Sequence, residues 1–266
     1  MTSDNTQILT QLERRRDVLL SSGDPRPLHR DLELHLLSIG STLDPFALQI
    51  LKDGLSALAF YMVSRPRIDT FGWTISLKSP PLNLFFTGSA SDGSVIGRAF
   101  ADHVQPGPRN VFVAQTIRPN AESQVSSVEV DGVDIFAMVE HFCATSDQHP
   151  VRFFHGDDEE VLLISALPEA DRKWLAELET AEAFGLASEA SLKRISRHEI
   201  TFRCGCDRDR IARIVSNLYK DDPQDLFRGE PTVEAECPRC GTKHSISRQD
   251  FEKLPGQDVL DDNAGP

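Results

Sequence analysis

The spacing of hydrophobic residues changes along the chain, and the changes predict both helices and strands. Within residues 6–63, Leu32, Leu36 and Ile39 recur at the spacing of one helix face. From Phe71 onward, apolar residues fall in short runs rich in β-branched and aromatic side chains, and Asp-Gly pairs supply turns between the runs. We therefore predict a helical first segment followed by a β-sheet region.

Helical spacing returns in the second half of the chain. Residues 134–143 predict a helix, and apolar runs at 152–154 and 161–164 indicate further strands. Pro168 then begins a polar stretch whose first turn carries acidic residues, which suits the positive end of a helix dipole. Residues 168–200 are predicted to form a helical linker with a thin apolar face.

These patterns predict an α+β fold with an N-terminal β-sheet and helix domain, a helical linker and a small C-terminal zinc-binding domain. A chain of 266 residues is long enough for one large domain and a smaller one. The predicted units are the N-terminal domain, the helical linker, a four-cysteine domain and a disordered acidic tail, with bounds 1–167, 168–200, 201–254 and 255–266.

Charge and hydropathy restrict the expected partners and location. The formal net charge of -13 opposes binding to nucleic-acid phosphates or anionic lipid. The strongest apolar run, around Leu55 to Val63, is too short to cross a bilayer, and the N-terminus has no apolar core of a secretory signal. We expect a cytoplasmic protein that binds neither nucleic acid nor membrane. In that reducing compartment, clustered cysteines are more often metal ligands or redox-active thiols than static disulfides.

Four of the five cysteines form two close pairs, and this is the chain's most specific chemical signal. The first pair is Cys204-Gly-Cys206, and the second is Cys237-Pro-Arg-Cys240-Gly. Four thiolates brought together by a folded excursion supply the tetrahedral sulfur environment that zinc prefers. We predict that these four cysteines bind zinc. Chance placement and independent disulfides remain alternatives, and His198 and His244 are substitute ligands.

The excursion between the two pairs is predicted to fold. Ile211, Ile214, Val215 and Leu218 share one face of a helix that starts near Asp207. The first cysteine pair then precedes a helix N-terminus, where the dipole favours thiolate.

Cys143 lies outside the cysteine pairs, between His141 and Asp147. Its position on the apolar side of the predicted helix favours a buried structural cysteine over a catalytic nucleophile. We expect no enzyme activity.

The cysteine pattern, and several segments before it, resemble the redox-regulated holdase chaperones named after heat-shock protein 33. The resemblance rests on Phe202 to Arg210 as the entry to the metal site, on the stretch Ser146-Asp147-Gln148-His149-Pro150 after a helix, and on the Asp92-Gly93 turn. It spans most of residues 50–254. Gly97-Arg98-Ala99-Phe100 stands where the family usually shows Arg-Gly-Tyr, so the chain is identified as a divergent member.

The resemblance implies an ATP-independent holdase that is inactive while reduced and zinc-bound. It further implies that oxidation couples Cys204 to Cys206 and Cys237 to Cys240, expels zinc and unfolds the linker. Unfolded client proteins are the implied partners, and a homodimer is an expectation for the oxidised form. Such a switch is physically consistent, because a structural zinc site contributes about 10–16 kcal/mol to the folding of its module.

Two other functions are compatible with the same cysteines. One is a constitutive structural zinc module on a binding or scaffold protein, which has no redox response. The other is a hydrolase or oxidoreductase that uses an open zinc position, and four thiolates leave no such position.

Overall fold

The fold comprises two compact units. The structure, a computed structural model, describes residues 5–66, 68–189 and 191–254. Unit 1 is Met1–Cys204 and unit 2 is Gly205–Pro266. The predicted disordered tail, residues 255–266, lies outside the described residues.

The described residues of unit 1 form one large sheet and five helices. Its strands are β1 (Thr6–Glu13), β2 (Val18–Gly23), β3 (Thr70–Lys78), β4 (Pro81–Ser89), β5 (Ser94–Phe100), β6 (Asn110–Ile117), β7 (Gln124–Val130), β8 (Val151–His155), β9 (Val161–Ala166) and β10 (Lys193–Phe202). Its helices are α1 (Arg26–Ser38), α2 (Pro45–Val63), α3 (Ile135–Thr145), α4 (Arg172–Glu177) and α5 (Thr180–Ala187). The α+β class predicted from the sequence is confirmed.

The ten strands lie in the order β7-β6-β3-β4-β5-β10-β1-β2-β9-β8. Neighbouring strands are antiparallel throughout, except where β10 meets β5 in parallel over only two residue pairs. A central strand of the sheet, β10, is therefore the last strand of unit 1 in the sequence.

Helix α2 forms the core of unit 1. Asp44 caps it by accepting hydrogen bonds from the amides of Phe46 and Ala47, and Pro45 occupies its first turn. Its residues are mostly apolar and buried, and it packs against β4 and β5. Gly54 lets the helix approach the sheet, because a Cβ there would overlap the ring of Phe86.

The length of α2 corrects an expectation about membrane spans. At 19 residues it is long and apolar enough to cross a bilayer by length and composition alone, whereas the sequence suggested a shorter run. However, 72% of its apolar window is buried inside the protein. This burial is that of a core helix.

A second, smaller core lies under α4 and α5. These helices bury four apolar residues against one side of the sheet: Leu175 in α4, Leu178 at its C-terminal end, and Ala183 and Leu186 in α5. The sheet residues beneath them are Val18, Leu20, Phe154, Leu162, Ile164 and Ala166. We call Arg172–Ala187 the connector helices. Their apolar face is thin, as predicted, and it covers strand residues that would otherwise meet solvent.

The helical prediction for the first segment was wrong for residues 6–23, which form β1 and β2, and right for α1 and α2. The buried row of β1 includes Thr6 and Thr10, so its two-residue period does not stand out as apolar. Downstream, the helix predicted at 134–143 is confirmed by α3, and the strands at 152–154 and 161–164 by β8 and β9.

The structure also corrects the extent of the helical linker predicted for residues 168–200. The segment contains α4 and α5, but residues 193–200 belong to β10. There the more exposed residues alternate with less exposed ones, and β1 supplies a long-range partner strand.

Unit 2 is small and is built around a hairpin. Its elements are α6 (Arg208–Asp221), α7 (Pro223–Phe227), β11 (Thr232–Glu236), β12 (Lys243–Ser247) and α8 (Arg248–Glu252). β11 and β12 pair in antiparallel. Ile211, Ala212, Phe227, Ile246 and Phe251 are buried, whereas Ile214, predicted to lie on the buried face of α6, is 61% exposed.

Candidate metal centre

Two short segments bring the predicted ligands together. Cys204 and Cys206 lie between the end of β10 and the start of α6, and Cys237 and Cys240 lie in the turn of the β11–β12 hairpin. The helix predicted after the first pair is confirmed by α6, and Asp207 caps it by accepting a 2.7 Å hydrogen bond from the amide of Arg210. Sequence order therefore places one thiol pair at a helix N-terminus and the other on a tight turn.

Glycines shape both turns. Gly205 has φ +64° and Gly241 has φ +79°, a region that favours glycine because it has no Cβ. In the second turn the amide of Gly241 donates to the carbonyl of Cys237 at 2.9 Å, and the amide of Cys237 donates to the carbonyl of Thr242 at 2.8 Å. These bonds hold the Cys237 and Cys240 side chains on one side of the hairpin turn.

The four sulfur atoms converge. The Sγ atoms of Cys204, Cys206, Cys237 and Cys240 all lie within 4.8 Å of one another, and the Sγ atoms of Cys206 and Cys240 are 3.6 Å apart. Four sulfurs at about 2.3 Å from a tetrahedral zinc ion would be about 3.8 Å apart. A disulfide would require a sulfur–sulfur distance of about 2.05 Å. The spacing therefore fits a metal ion held by four thiolates.

The four thiols differ in their exposure. Cys237 and Cys240 are each 2% exposed, whereas Cys204 and Cys206 are half-buried. An oxidant in solution can therefore approach the first pair more readily than the second.

Polar groups surround the sulfurs. Thr242 Oγ1 lies 3.2 Å from Cys240 Sγ, and His244 Nε2 lies 3.4 Å from Cys206 Sγ. Arg210 Nη1 donates a 2.7 Å hydrogen bond to the carbonyl of Gly205, between the first two thiols. A zinc ion with four thiolates carries a net charge of about -2, and a helix N-terminus with nearby guanidinium groups offsets part of it.

The two histidines proposed as substitute ligands have different places. His244 contacts a cysteine sulfur, but the candidate metal-binding group among the described residues contains the four cysteines alone. His198 lies in β10, where its Nε2 is 2.7 Å from Ser196 Oγ. The roles of Thr242 and Arg210 were missed, since neither residue type is a usual zinc ligand and only the folded turns bring them to the sulfurs.

Cys143 lies in the core of unit 1, as predicted. It is fully buried on α3, and burial raises the pKa of its thiol to about 12. A thiol that stays protonated and shielded from solvent is a poor nucleophile, so Cys143 is a structural residue.

A model of a known family covers most of the chain. The family described as Hsp33 protein matches residues 81–247, a segment that includes all four clustered cysteines. The chain belongs to the Hsp33 family.

Named relatives agree with this membership. The chain is 26% identical to a 33 kDa chaperonin of Ectopseudomonas mendocina over 261 residues, which cover 85% of the chain and 88% of the relative. It is also 26% identical to a 33 kDa chaperonin of Shewanella frigidimarina over 165 residues, or 54% of the chain and 58% of that relative. The low identities fit a divergent member, and the relatives' names support a chaperone function.

A solved structure shows the same fold. The 33 kDa chaperonin (heat shock protein 33 homolog) of Thermotoga maritima superposes with a TM-score of 0.70 at 16% identity, covering 94% of this chain and 97% of that one. At this identity the likeness concerns the fold alone.

Proposed function

We propose that the protein is a redox-regulated, ATP-independent holdase chaperone that binds unfolding proteins under oxidative stress. The observation that carries the proposal is the convergence of four cysteine sulfurs, two of them half-buried, in a chain of the Hsp33 family. The reduced, metal-bound state is the inactive one. Thiol oxidation and loss of the metal switch the protein on.

The metal is zinc, held by Cys204, Cys206, Cys237 and Cys240. Four thiolates at these separations suit a closed structural zinc site, which has no open position for a substrate or a water molecule. When bound, zinc supplies folding free energy to unit 2. The proposal therefore assigns no enzyme activity to the centre.

The switch is a two-electron oxidation at each thiol pair. Hydrogen peroxide takes two electrons from a pair of thiolates and, with two protons, leaves as two water molecules while one sulfur–sulfur bond forms. Cys204 and Cys206 are half-buried, so the reaction starts at this pair. The proposed products are disulfides Cys204–Cys206 and Cys237–Cys240, and neither retains a thiolate for zinc.

The connector helices provide the surface that activation uncovers. Leu175, Leu178, Ala183 and Leu186 cover an apolar patch on β2, β8 and β9. Burial of each large aliphatic side chain is worth about 1.5–3 kcal/mol, so exposing this patch creates a strong site for apolar segments of other proteins. Unfolded client proteins expose such segments.

The remaining parts of the proposal concern location and partners. A thiol-based switch needs a reducing compartment, which places the protein in the cytoplasm. A net charge of -13 opposes contact with nucleic acid or anionic membranes. A homodimer of the oxidised form is proposed as well, and sedimentation of the two redox forms tests it.

Peroxide-driven metal release tests the switch. Zinc leaving the reduced, metal-loaded protein is followed with a metallochromic dye, and the loss of thiols is counted in parallel. We expect about one zinc ion released as four thiols are lost, and the Cys143→Ala variant should behave identically. If zinc stays bound while an exposed model thiol is fully oxidised, the centre is a constitutive structural module instead. Peptide mapping then identifies the bonds formed, including any bond between Cys206 and Cys240, whose sulfurs lie 3.6 Å apart.

A further inference from the structure

The position of β10 in the sheet has a mechanical consequence. It pairs with β1 along Thr6–Leu12 and with β5 through Thr201 and Phe202 alone. Among the described strands, β10 is what joins the β7-β6-β3-β4-β5 side to the β1-β2-β9-β8 side. If β10 leaves, the sheet divides and β1 acquires an open edge.

Apolar packing of β10 is concentrated at its C-terminal end, where Ile200 lies in the core and Phe202 packs against it. Its less exposed row is Ser196, His198, Ile200 and Phe202, and of these Ile200 alone is fully buried. The first two carry polar groups that lie 2.7 Å from each other. On the other face Ile195 is 49% exposed. Residues 193–199 are therefore held mainly by backbone hydrogen bonds near solvent, and such segments belong to the less stable part of a domain.

A cavity that is open to solvent lies beside β10. An open space of about 250 Å³ lies between the end of α2, with Met62 and Val63, and β10, with His198 and Ile200. Neighbouring side chains therefore cover His198 only in part.

The last residues of β10 connect it to the cysteine centre. The amide of Thr201 donates to the carbonyl of Gly93 at 2.9 Å, and the amide of Arg203 donates to the carbonyl of Val95 at 3.0 Å. Arg203 also forms a 2.8 Å ion pair with Asp92 in which both side chains are largely exposed, and such pairs contribute little. Cys204 is the next residue, so a rearrangement there acts directly on these bonds.

The rest of unit 1 can remain folded without β10. Helix α2 contacts β1 and β2 in one half of the strand order and β4 and β5 in the other half. Its buried residues belong to one continuous core with residues from both sides. Release of β10 therefore opens an edge without dissolving the body.

We propose that oxidation of the cysteine centre releases β10, and that the uncovered edge of β1 then binds extended segments of unfolded proteins by strand addition. The inference rests on the proposed function and names how clients dock. Backbone groups of β1 supply hydrogen bonds to any extended segment, which suits a chaperone with many clients. The spaces vacated by Ile200 and Phe202 select segments with apolar side chains at alternate positions.

A peptide with the sequence of residues 193–202 is a direct probe of this edge. Fluorescence anisotropy of the labelled peptide is measured with the full-length protein, reduced and zinc-loaded or oxidised by peroxide. We expect at least about tenfold tighter binding to the oxidised form, and at least about tenfold weaker binding when alternate peptide amides are N-methylated, because strand addition needs them. Equal binding to both redox forms, or binding unaffected by N-methylation, would overturn the proposal.

Hydrogen exchange separates this proposal from the function on which it rests. On oxidation, amides of β1 should exchange at least about tenfold faster, and a permanently unfolded protein, reduced carboxymethylated lactalbumin, should slow them again. If β1 keeps its protection while the oxidised protein still prevents aggregation, the holdase function stands and docking at β1 is wrong. If oxidation gives no holdase activity, the proposed function itself has failed.

Two substitutions in β10 test the role of weak packing. His198→Leu places an apolar side chain at the cavity and should retain β10, so the oxidised variant should bind the peptide at least about tenfold more weakly while releasing zinc normally. Arg194→Leu changes an exposed residue of β10 outside the cavity and should bind like the parent protein. Equally tight peptide binding by both variants would contradict control of the site by β10.

Discussion

Removing the metal under reducing conditions should unfold unit 2 and leave unit 1 folded. The described interior of unit 2 contains four large apolar side chains, those of Ile211, Phe227, Ile246 and Phe251. At about 1.5–3 kcal/mol each, their burial contributes roughly 6–12 kcal/mol. A structural zinc site contributes about 10–16 kcal/mol, whereas the net stability of a domain is only about 5–15 kcal/mol. Loss of the metal thus removes more free energy than the net stability expected of so small a unit.

Hydrogen exchange with mass spectrometry measures this effect by segment. After treatment with a chelator and a reductant, amides of α6, β11 and β12 should exchange at nearly the rate of an unfolded chain. Amides of α2, β3 and β4 should remain protected, because unit 1 has its own core. Metal-loaded Cys143→Ala protein serves as the control and should keep unit 2 protected. If metal-free protein retains protection in unit 2, the centre does not stabilise this unit and the reasoning is refuted.

Four further measurements follow from individual residues. Cys204→Ala should sharply lower zinc content measured by elemental analysis, whereas Cys143→Ala should leave it unchanged; full zinc retention in the first variant would contradict the four-ligand assignment. In the folded protein, Cys143 should resist alkylation until unfolding, since its thiol is buried and its pKa is raised to about 12. Gly54→Ala should destabilise unit 1 in urea by about 1–3 kcal/mol, because the added methyl group overlaps Phe86 despite better helix propensity; equal stability would show that the core adapts. Burial lowers the pKa of His29 from 6.5 to about 4, so the unfolded chain binds this proton more readily. Stability should therefore fall as the pH drops from about 6.5 towards 4, and His29→Asn should remove that part of the slope in urea titrations.

The cysteine centre could be predicted from the sequence because its signal is local. Cys204 and Cys206 are two residues apart, Cys237 and Cys240 are three apart, and a tight turn or a helix start is enough to orient each pair. Zinc chemistry then requires the two pairs to meet. His244 was recognised as a metal-binding residue type, but its contact with one particular sulfur depends on the β11–β12 pairing.

The sheet was harder to predict because β1 and β10, which pair at its centre, are far apart in the sequence. β1 and β10 meet with Thr6 opposite Ile200, although they stand almost at opposite ends of unit 1. Polar Thr10 is buried in β1 and apolar Ile195 is exposed in β10, so neither strand shows a clear alternation of apolar residues. Tertiary context decided both strands over local pattern. For the same reason a segment that resembles a polar linker proved to complete the sheet.

The most direct test of the holdase switch is light scattering from a client protein that unfolds on heating. The client is mixed with reduced, zinc-loaded protein, with peroxide-oxidised protein, or with oxidised protein that has been reduced again and resupplied with zinc. The account predicts that the oxidised form alone suppresses aggregation and that reduction with zinc reverses it. Equal suppression by all three samples, or none by any, would contradict a chaperone controlled by the four cysteines.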